Sequence, residues 1–264
     1  MRLSIVTLTF NQLEQATRPF LESLYAETRA EDFELVVVDN GSTDGTVPYL
    51  QSICRERGNM TLHMNDRNEG YSRGNNLGLN RISTETPYIG LFNNDVLFTP
   101  GWLMRMIEAF ESEPRLGLAS PRINDSRSMT RTNFRSRYRR MLARYKDPVT
   151  FNVTPYFCCV MMRRRVLEKV GLLDEAYSPA FFEDDDYSMR SLYAGFLNGY
   201  VNTAFVYHNH CTTSGRMSDR RELLDRNRRI FYDKHYLGRV LYEQALDLRK
   251  PWRALWRRVV RGSM

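Results

Sequence analysis

Apolar positions along the first 120 residues switch repeatedly between two spacings. Leu3–Phe10 is nearly continuous in apolar and β-branched residues, and so is Glu34–Asp39, too apolar to be half exposed. Both suit strands buried on two faces. Gln12–Glu27 has helical periodicity, and Gly41–Gly45 is a turn whose Ser, Thr and Asp can cap a helix running through Arg57. Thr61–Asn65 reads as a third strand, Tyr71–Ile82 as a helix and Tyr88–Phe92 as a fourth strand. Pro100 opens another helix, and Gly117–Ser120 begins a fifth strand. This alternation predicts an α/β fold with a mostly parallel, doubly wound (Rossmann-like) sheet. Ligands of such sheets bind beyond the carboxyl ends of the strands, so the residues after each strand are where chemistry is sought.

The second half is less regular. Residues 122–148 are Arg-rich and weakly periodic, and read as a loop or short helices. Beyond them the pattern predicts a strand at Tyr156–Met162, helices at Arg163–Val170 and Asp184–Ala194, and a strand at Tyr200–Tyr207. From Ser218 onward the chain reads as helical and basic. The expected organisation is one folded unit over 1–215, with halves 1–120 and 121–215, and a basic helical extension over 216–264.

Composition narrows the class. With 42% hydrophobic and 26% charged residues, disorder and low-complexity sequence are excluded. No apolar run approaches the roughly 18 residues that span a bilayer. Phe157–Met162 is the longest and fits a buried strand. The start, MRLSIVTLTF, lacks a small-residue cleavage site and reads as a strand rather than a signal peptide. Cys54, Cys158, Cys159 and Cys211 form no disulfide or zinc pattern, which makes the cytosol the default compartment. The net charge of +7 conceals an asymmetry: residues 1–120 carry 10 Lys and Arg against 16 Asp and Glu, whereas residues 121–264 carry 28 against 15. An Arg-rich half suggests phosphate-bearing partners: a pyrophosphate, a lipid head group or a nucleic acid.

Several clusters carry candidate chemistry. Asp39 ends the second strand and either accepts hydrogen bonds from a base or ribose or caps the next helix. Asn93-Asn94-Asp95 ends the fourth strand with hard oxygens suited to Mg²⁺ or Mn²⁺, or is simply a turn. The glycines of Asn68–Gly78 allow close backbone approach to a ligand. Glu183-Asp184-Asp185-Asp186 opens a helix; acidic residues favour that position, and four in a row repel one another and raise at least one pKa, as a general base needs. Arg190, one turn after Asp186, can pair with it. His208 and His210 follow the last strand and either ligate a metal or sit exposed.

Taken in order, SIVTLTFN (4–11), VVVDNGSTDGT (36–46), NEGYSRGNNLG (68–78), LFNNDV (91–96), GLLDEAYSPAFFEDDDYSMR (171–190) and VYHNH (206–210) resemble glycosyltransferase family 2, GT-A fold, in its rhamnosyltransferase-like branch. The resemblance implies an inverting transfer of sugar from a UDP- or dTDP-sugar, assisted by Mn²⁺ or Mg²⁺, in surface polysaccharide or lipid-linked glycan synthesis. It implies a nucleotide-sugar-binding half over 1–120 and an acceptor and catalytic half over 121–215. Thr9, Asp39, Asn94 and the backbone at Gly70 would hold the donor, Asp95 and His208 the metal, and Asp184 would be the catalytic base. Glu183, Asp185 and Arg190 would stand around the base and acceptor. Asn93 departs from the pattern, since many members carry Asp there.

The end of the chain adds a partner. On a helix opened by Pro251, Trp252, Leu255, Trp256, Val259 and Val260 share one face and arginines the rest, so residues 249–261 suit the interface of an anionic membrane. That fits a peripheral enzyme at the inner face of the membrane; the plain alternative is a helix packing its tryptophans on the folded unit. Two other functions compete: a nucleotide-sugar-binding protein without turnover, and a transferase acting on modified nucleic acid. No recognition-helix or stacking motif favours nucleic acid.

Overall fold

The computed structural model describes residues 1–124, 147–209 and 219–235, together with Arg140 and Ala143. Most of the irregular stretch over 122–148 therefore lies outside the described residues, as do His210, Cys211 and the basic helix expected over 249–261.

The strands are β1 (Leu3–Thr9), β2 (Phe33–Asp39), β3 (Met60–Met64), β4 (Tyr88–Asn93), β5 (Val96–Phe98), β6 (Leu116–Asn124), β7 (Val149–Phe151), β8 (Cys159–Arg163) and β9 (Leu197–His208). The helices are α1 (Arg18–Glu27), α2 (Thr46–Glu56), α3 (Tyr71–Leu79), α4 (Trp102–Ser112), α5 (Arg164–Val170), α6 (Glu183–Tyr193) and α7 (Arg220–Lys234). One sheet runs in the order β3-β2-β1-β4-β8-β6-β9-β5, with β7 on β9. It is parallel across β3, β2, β1 and β4, as the alternation of elements predicts. Beyond β4 it is mixed: β8 is antiparallel to both β4 and β6, while β6 and β9 are parallel. The sequence shows no strand at β5 or β7, because three-residue strands leave no periodicity to read.

The apolar positions sort by strand face. Leu3, Ile5, Leu35 and Val37 join Phe20, Leu24 and Trp102 in one core layer; Val6, Val36, Val38 and Leu91 join Leu79, Val166 and Tyr187 in the other. The helix expected over Gln12–Glu27 is divided: one π turn at Leu13–Thr17 precedes α1, whose Pro19 lacks the N–H an uninterrupted ladder needs. The glycines after β3 meet the chain itself. A Cβ on Gly78 would overlap the Val6 side chain, so this glycine lets α3 lie close on β1.

A third, smaller cluster of Tyr177, Phe182, Met189 and Phe231 sits beneath the loop that leads into α6. Phe231 belongs to α7, so the first helix of the basic extension packs on the acidic turn.

Candidate active site

Parallel register aligns Thr9 with Asp39 and Leu8 with Asn93 at the carboxyl edge of β1, β2 and β4. Asp39 is buried, and both of its carboxylate oxygens are engaged. Thr9 Oγ1 donates to Oδ1 at 2.7 Å, Ser42 Oγ donates to the same oxygen at 2.6 Å, and the Ser42 N–H donates to Oδ2 at 2.8 Å. The carboxylate thus anchors the turn after β2, and just before α2 Asp44 Oδ1 accepts the Thr46 N–H at 2.9 Å.

Asparagine amides stitch the neighbouring loops together. Thr43 donates its N–H to Asn11 Oδ1 at 2.8 Å, and Asn65 Nδ2 donates to Asn40 Oδ1 at 2.9 Å. The Asn65 N–H donates to the Asp39 carbonyl at 2.8 Å, which ties Asp39 to an open groove of about 530 Å³ lined by His63, Met64, Asn65, Asp66, Arg67 and Glu69. Sequence reasoning missed this groove. The signal available was an Asn at or just past strands β1, β2 and β3.

Asn94 and Asp95 occupy the tight turn between β4 and β5. Asn94 Nδ2 donates to Thr17 Oγ1 at 2.9 Å, so its amide is tied to the end of the π turn. Asp95 is buried, and its Oδ1 lies 3.1 Å from His208 Nε2. Residues more than a hundred positions apart meet because β5 pairs with β9, setting Val96 opposite His208. Mg²⁺-like ions bind ligands at about 2.1 Å in an octahedron, which puts neighbouring ligand atoms roughly 3 Å apart. Asp95 Oδ1 and His208 Nε2 have that spacing and the right chemistry, and so fit a divalent ion. Among the described residues no group of three or more His, Cys, Asp or Glu converges. The remaining ligands of such an ion would have to come from the substrate or water.

The acidic turn is the other half. Phe181 and Phe182 both adopt positive φ (81° and 71°), a rare backbone for bulky residues, and this twist delivers Glu183 to the start of α6. Burial raises Glu183 well above the ordinary carboxylate range, and the charge of Asp184 adds to it. Burial likewise raises Asp184, against the pull of the Asp185 N–H that its Oδ1 accepts at 3.0 Å. Asp185 is pushed up to about 7 by burial and then by Asp184, although Thr154 Oγ1 donates to it at 2.9 Å.

Asp186 behaves in the opposite way. Its burial is outweighed by hydrogen bonds from His235 and Lys234 and by the charge of Arg190, which hold it well below the usual range. Arg190 Nε reaches Oδ2 at 2.7 Å; Lys234 Nζ and His235 Nε2 reach Oδ1 at 2.7 and 2.8 Å. The pairing of Arg190 with Asp186 follows from helical spacing, but the two partners from the end of α7 had no signal in the sequence.

Gly70 joins the two halves. At φ +81°, the place of a Cβ is filled by Pro179 Cα, Pro179 O and Ser178 Oγ, each 2.9 Å away. The close approach it permits here is to the 178–179 turn, and the Tyr71 N–H donates to the Pro179 carbonyl at 2.8 Å.

The sheet, parallel from β3 to β4 and mixed beyond, with helices packed on it, has the GT-A fold. A family model described as "Glycosyl transferase family 2" matches residues 4–171, more than half of the chain, and the chain belongs to that family. Its role is sugar transfer. It is 28% identical over 248 residues to the N-acetylglucosaminyl-diphospho-decaprenol L-rhamnosyltransferase of Mycobacterium tuberculosis, covering 81% of this chain and 78% of that one. It is 25% identical over 114 residues to an uncharacterized glycosyltransferase of Haemophilus influenzae, covering 43% of this chain and 34% of that one. Among solved structures, GalNAc-T7 with UDP, GalNAc and Mn²⁺ superposes with a TM-score of 0.64 at 14% identity, over 79% of this chain and 44% of that one. The Pyrobaculum calidifontis mannosyltransferase PcManGT with GDP-Man and Mn²⁺ gives 0.61 at 16% identity, over 80% and 58%. The chain thus spans about half the length of these solved relatives, and the likeness to them is one of fold.

Proposed function

We propose that the protein transfers a sugar from a nucleotide-diphosphate sugar to an acceptor hydroxyl with inversion of configuration. The observation that carries this reading is the set of raised carboxyls at the start of α6, held beside a sheet edge that offers Asp39 and the Asp95–His208 pair. The nucleotide lies along the edge of β1, β2 and β3, over Thr9, Asp39 and the loop at Gly70, with the adjoining groove open to it. Asp95 and His208, with Asn94 beside them, would hold a divalent ion, Mn²⁺ or Mg²⁺. When bound, that ion supplies positive charge that offsets the leaving diphosphate.

Asp184 accepts the proton of the acceptor hydroxyl as the oxygen attacks the anomeric carbon. One displacement from the opposite face inverts the centre, and a diphosphate leaving group needs no general acid. Among the raised carboxyls Asp184 suits the role because Asp185 is bound by Thr154 and Glu183 is more deeply buried. Burial raises the Asp184 carboxyl above its ordinary range, which makes its ionised form a stronger proton acceptor in the transition state. The relative named as a decaprenol-linked rhamnosyltransferase supports a lipid-linked glycan acceptor, and an anionic membrane surface engaged by residues 249–261 would suit that substrate.

The test is acceptor-dependent transfer by the wild type from UDP-, dTDP- and GDP-sugars, with Asp184→Asn as comparison. Asp184→Asn is expected to lose transfer by about 10²–10⁴-fold while donor binding persists. Donor binding without any transfer by the wild type would leave a binding protein. Loss confined to Asp185→Asn would move the base by one residue.

A further inference from the structure

Five residues, Thr154 to Cys158, bridge the two halves of the site. Thr154 Oγ1 donates to Asp185 Oδ1 at 2.9 Å, and the Cys158 carbonyl accepts the Asn93 N–H at 2.8 Å. The bridge is pinned at its middle as well, where the Tyr156 N–H donates to Ser120 Oγ at 3.1 Å. Phe157, next along, points inward and is buried. Tyr156 points outward, with 46% of its surface exposed.

The Tyr156 ring has a rigid backing. It stacks on Tyr200 with centroids 4.7 Å apart and planes tilted by 39°. Tyr200 is itself locked: its hydroxyl donates to the Thr154 carbonyl at 3.0 Å and accepts from Asn152 Nδ2 at 2.8 Å. The Arg122 guanidinium caps the Tyr200 ring at 4.7 Å. Single exposed aromatics are common on protein surfaces and need no explanation. Tyr156 differs in position: a ring with a fixed backbone and a supported face, two residues from Thr154, which binds Asp185, and two from Cys158, which binds the Asn93 N–H at the end of β4.

A pyranose ring presents axial C–H groups on one face and hydroxyls around its rim. The C–H face meets the negative π face of an aromatic ring as an aromatic edge does, and the rim hydroxyls stay free for carboxylates. We infer that Tyr156 is the platform for a sugar ring of the acceptor, so that the attacked hydroxyl belongs to a pyranose rather than to a lipid alcohol or a protein side chain. This rests on the transferase reading above. The acceptor, not the donor, is assigned here because the ring that backs Tyr156 is tied to the carbonyl of Thr154, the residue whose hydroxyl binds the acidic turn, where the acceptor's proton leaves.

The experiment is saturation-transfer-difference NMR on the full chain with methyl glycosides of glucose, galactose, mannose and N-acetylglucosamine. It is run with UDP, dTDP or GDP present, on the wild type, Tyr156→Ala and Tyr156→Phe. At least one glycoside is expected to receive saturation on its ring C–H protons. Tyr156→Ala should reduce that signal about fivefold, the order of one aromatic contact, and Tyr156→Phe should retain it. Thermal shifts with nucleotide should be the same in all three proteins. No saturation of any glycoside by the wild type overturns the inference, as does equal loss in Tyr156→Phe, which would make the hydroxyl the contact. Weaker nucleotide-sugar binding in Tyr156→Ala with unchanged glycoside signals would assign the ring to the donor. The two readings fail separately: nucleotide-sugar turnover without glycoside contact at Tyr156 removes only the platform, and glycoside contact without turnover removes only the transferase.

Discussion

The carboxylates of Asp39, Asp186, Asp95 and Asp184 sit in different settings. Thr9 and Ser42 take up both oxygens of Asp39, and Arg190, Lys234 and His235 surround Asp186. Asp95 faces an imidazole at metal-ligand spacing, and Asp184 is raised by burial in a helix's first turn. That contrast makes two residue-scale predictions. Asp95→Ala should weaken nucleotide binding in Mn²⁺ by about tenfold or more and change it little in EDTA, measured by calorimetry in both buffers; equal losses in the two would make Asp95 structural. The raised Asp184 carboxyl predicts that wild-type kcat/KM rises with pH on an acid limb above the ordinary carboxylate range, since the base must be ionised. A rate flat from pH 5 to 8 would count against any base in this cluster. Along the chain the four acidic residues look alike. Their environments alone separate them, because a pKa reports what surrounds a group and not where it stands in the sequence.

At the scale of elements, α7 does more than extend the fold. Asn227 Nδ2 contacts the carbonyls of Tyr177, Ala180 and Phe181 at 2.8, 2.9 and 2.9 Å, and Arg226 binds the Ser178 carbonyl. Phe231 is buried against Phe182, their centroids 5.6 Å apart. The helix therefore braces the twisted Phe181–Phe182 turn from which the acidic cluster springs. Asn227→Ala leaves buried carbonyls unpaired and is expected to cost about 2–3 kcal/mol in urea unfolding. Sugar transfer should fall while nucleotide affinity holds, because the proposed donor edge is built on β1 to β4, strands paired with one another in the sheet. If affinity and transfer fall together, the brace is not local. The strand–helix alternation through α4 was legible because long amphipathic elements declare their period. The bracing was not: in the sequence Asn227 is one polar residue among arginines on a helix, and its partners lie some fifty residues earlier.

For the whole molecule, the acidic turn and its brace act on stability in opposite directions as pH changes. Asp185 is raised in the folded state, so the folded protein prefers it protonated; the cost of ionising it grows from about pH 4 to about pH 7 and is constant above. Asp186 is held low, so its contribution is present at neutral pH and lost as pH falls below the usual carboxylate range. Asp185→Asn should therefore stabilise the protein at pH 8, on the order of 2 kcal/mol, and have little effect near pH 4. Thermal unfolding at both pH values checks this, and a gain independent of pH would contradict it. The basic C-terminus carries its own expectation: the full chain should sediment with anionic vesicles, less at high salt, and truncation after Arg249 should abolish this while sparing donor binding. Persistent sedimentation of the truncated chain would place the contact elsewhere. The sequence by itself determined the α/β class, the parallel half-sheet, the family motifs and the acidic helix start, since each is a local pattern of period or composition. Tertiary structure alone decided that Asp95 meets His208, that Asp186 is bound by the end of α7, and that β8 runs antiparallel beside β4. Each of those joins residues dozens of positions or more apart, and nothing in a local pattern encodes which distant segments a fold brings into contact.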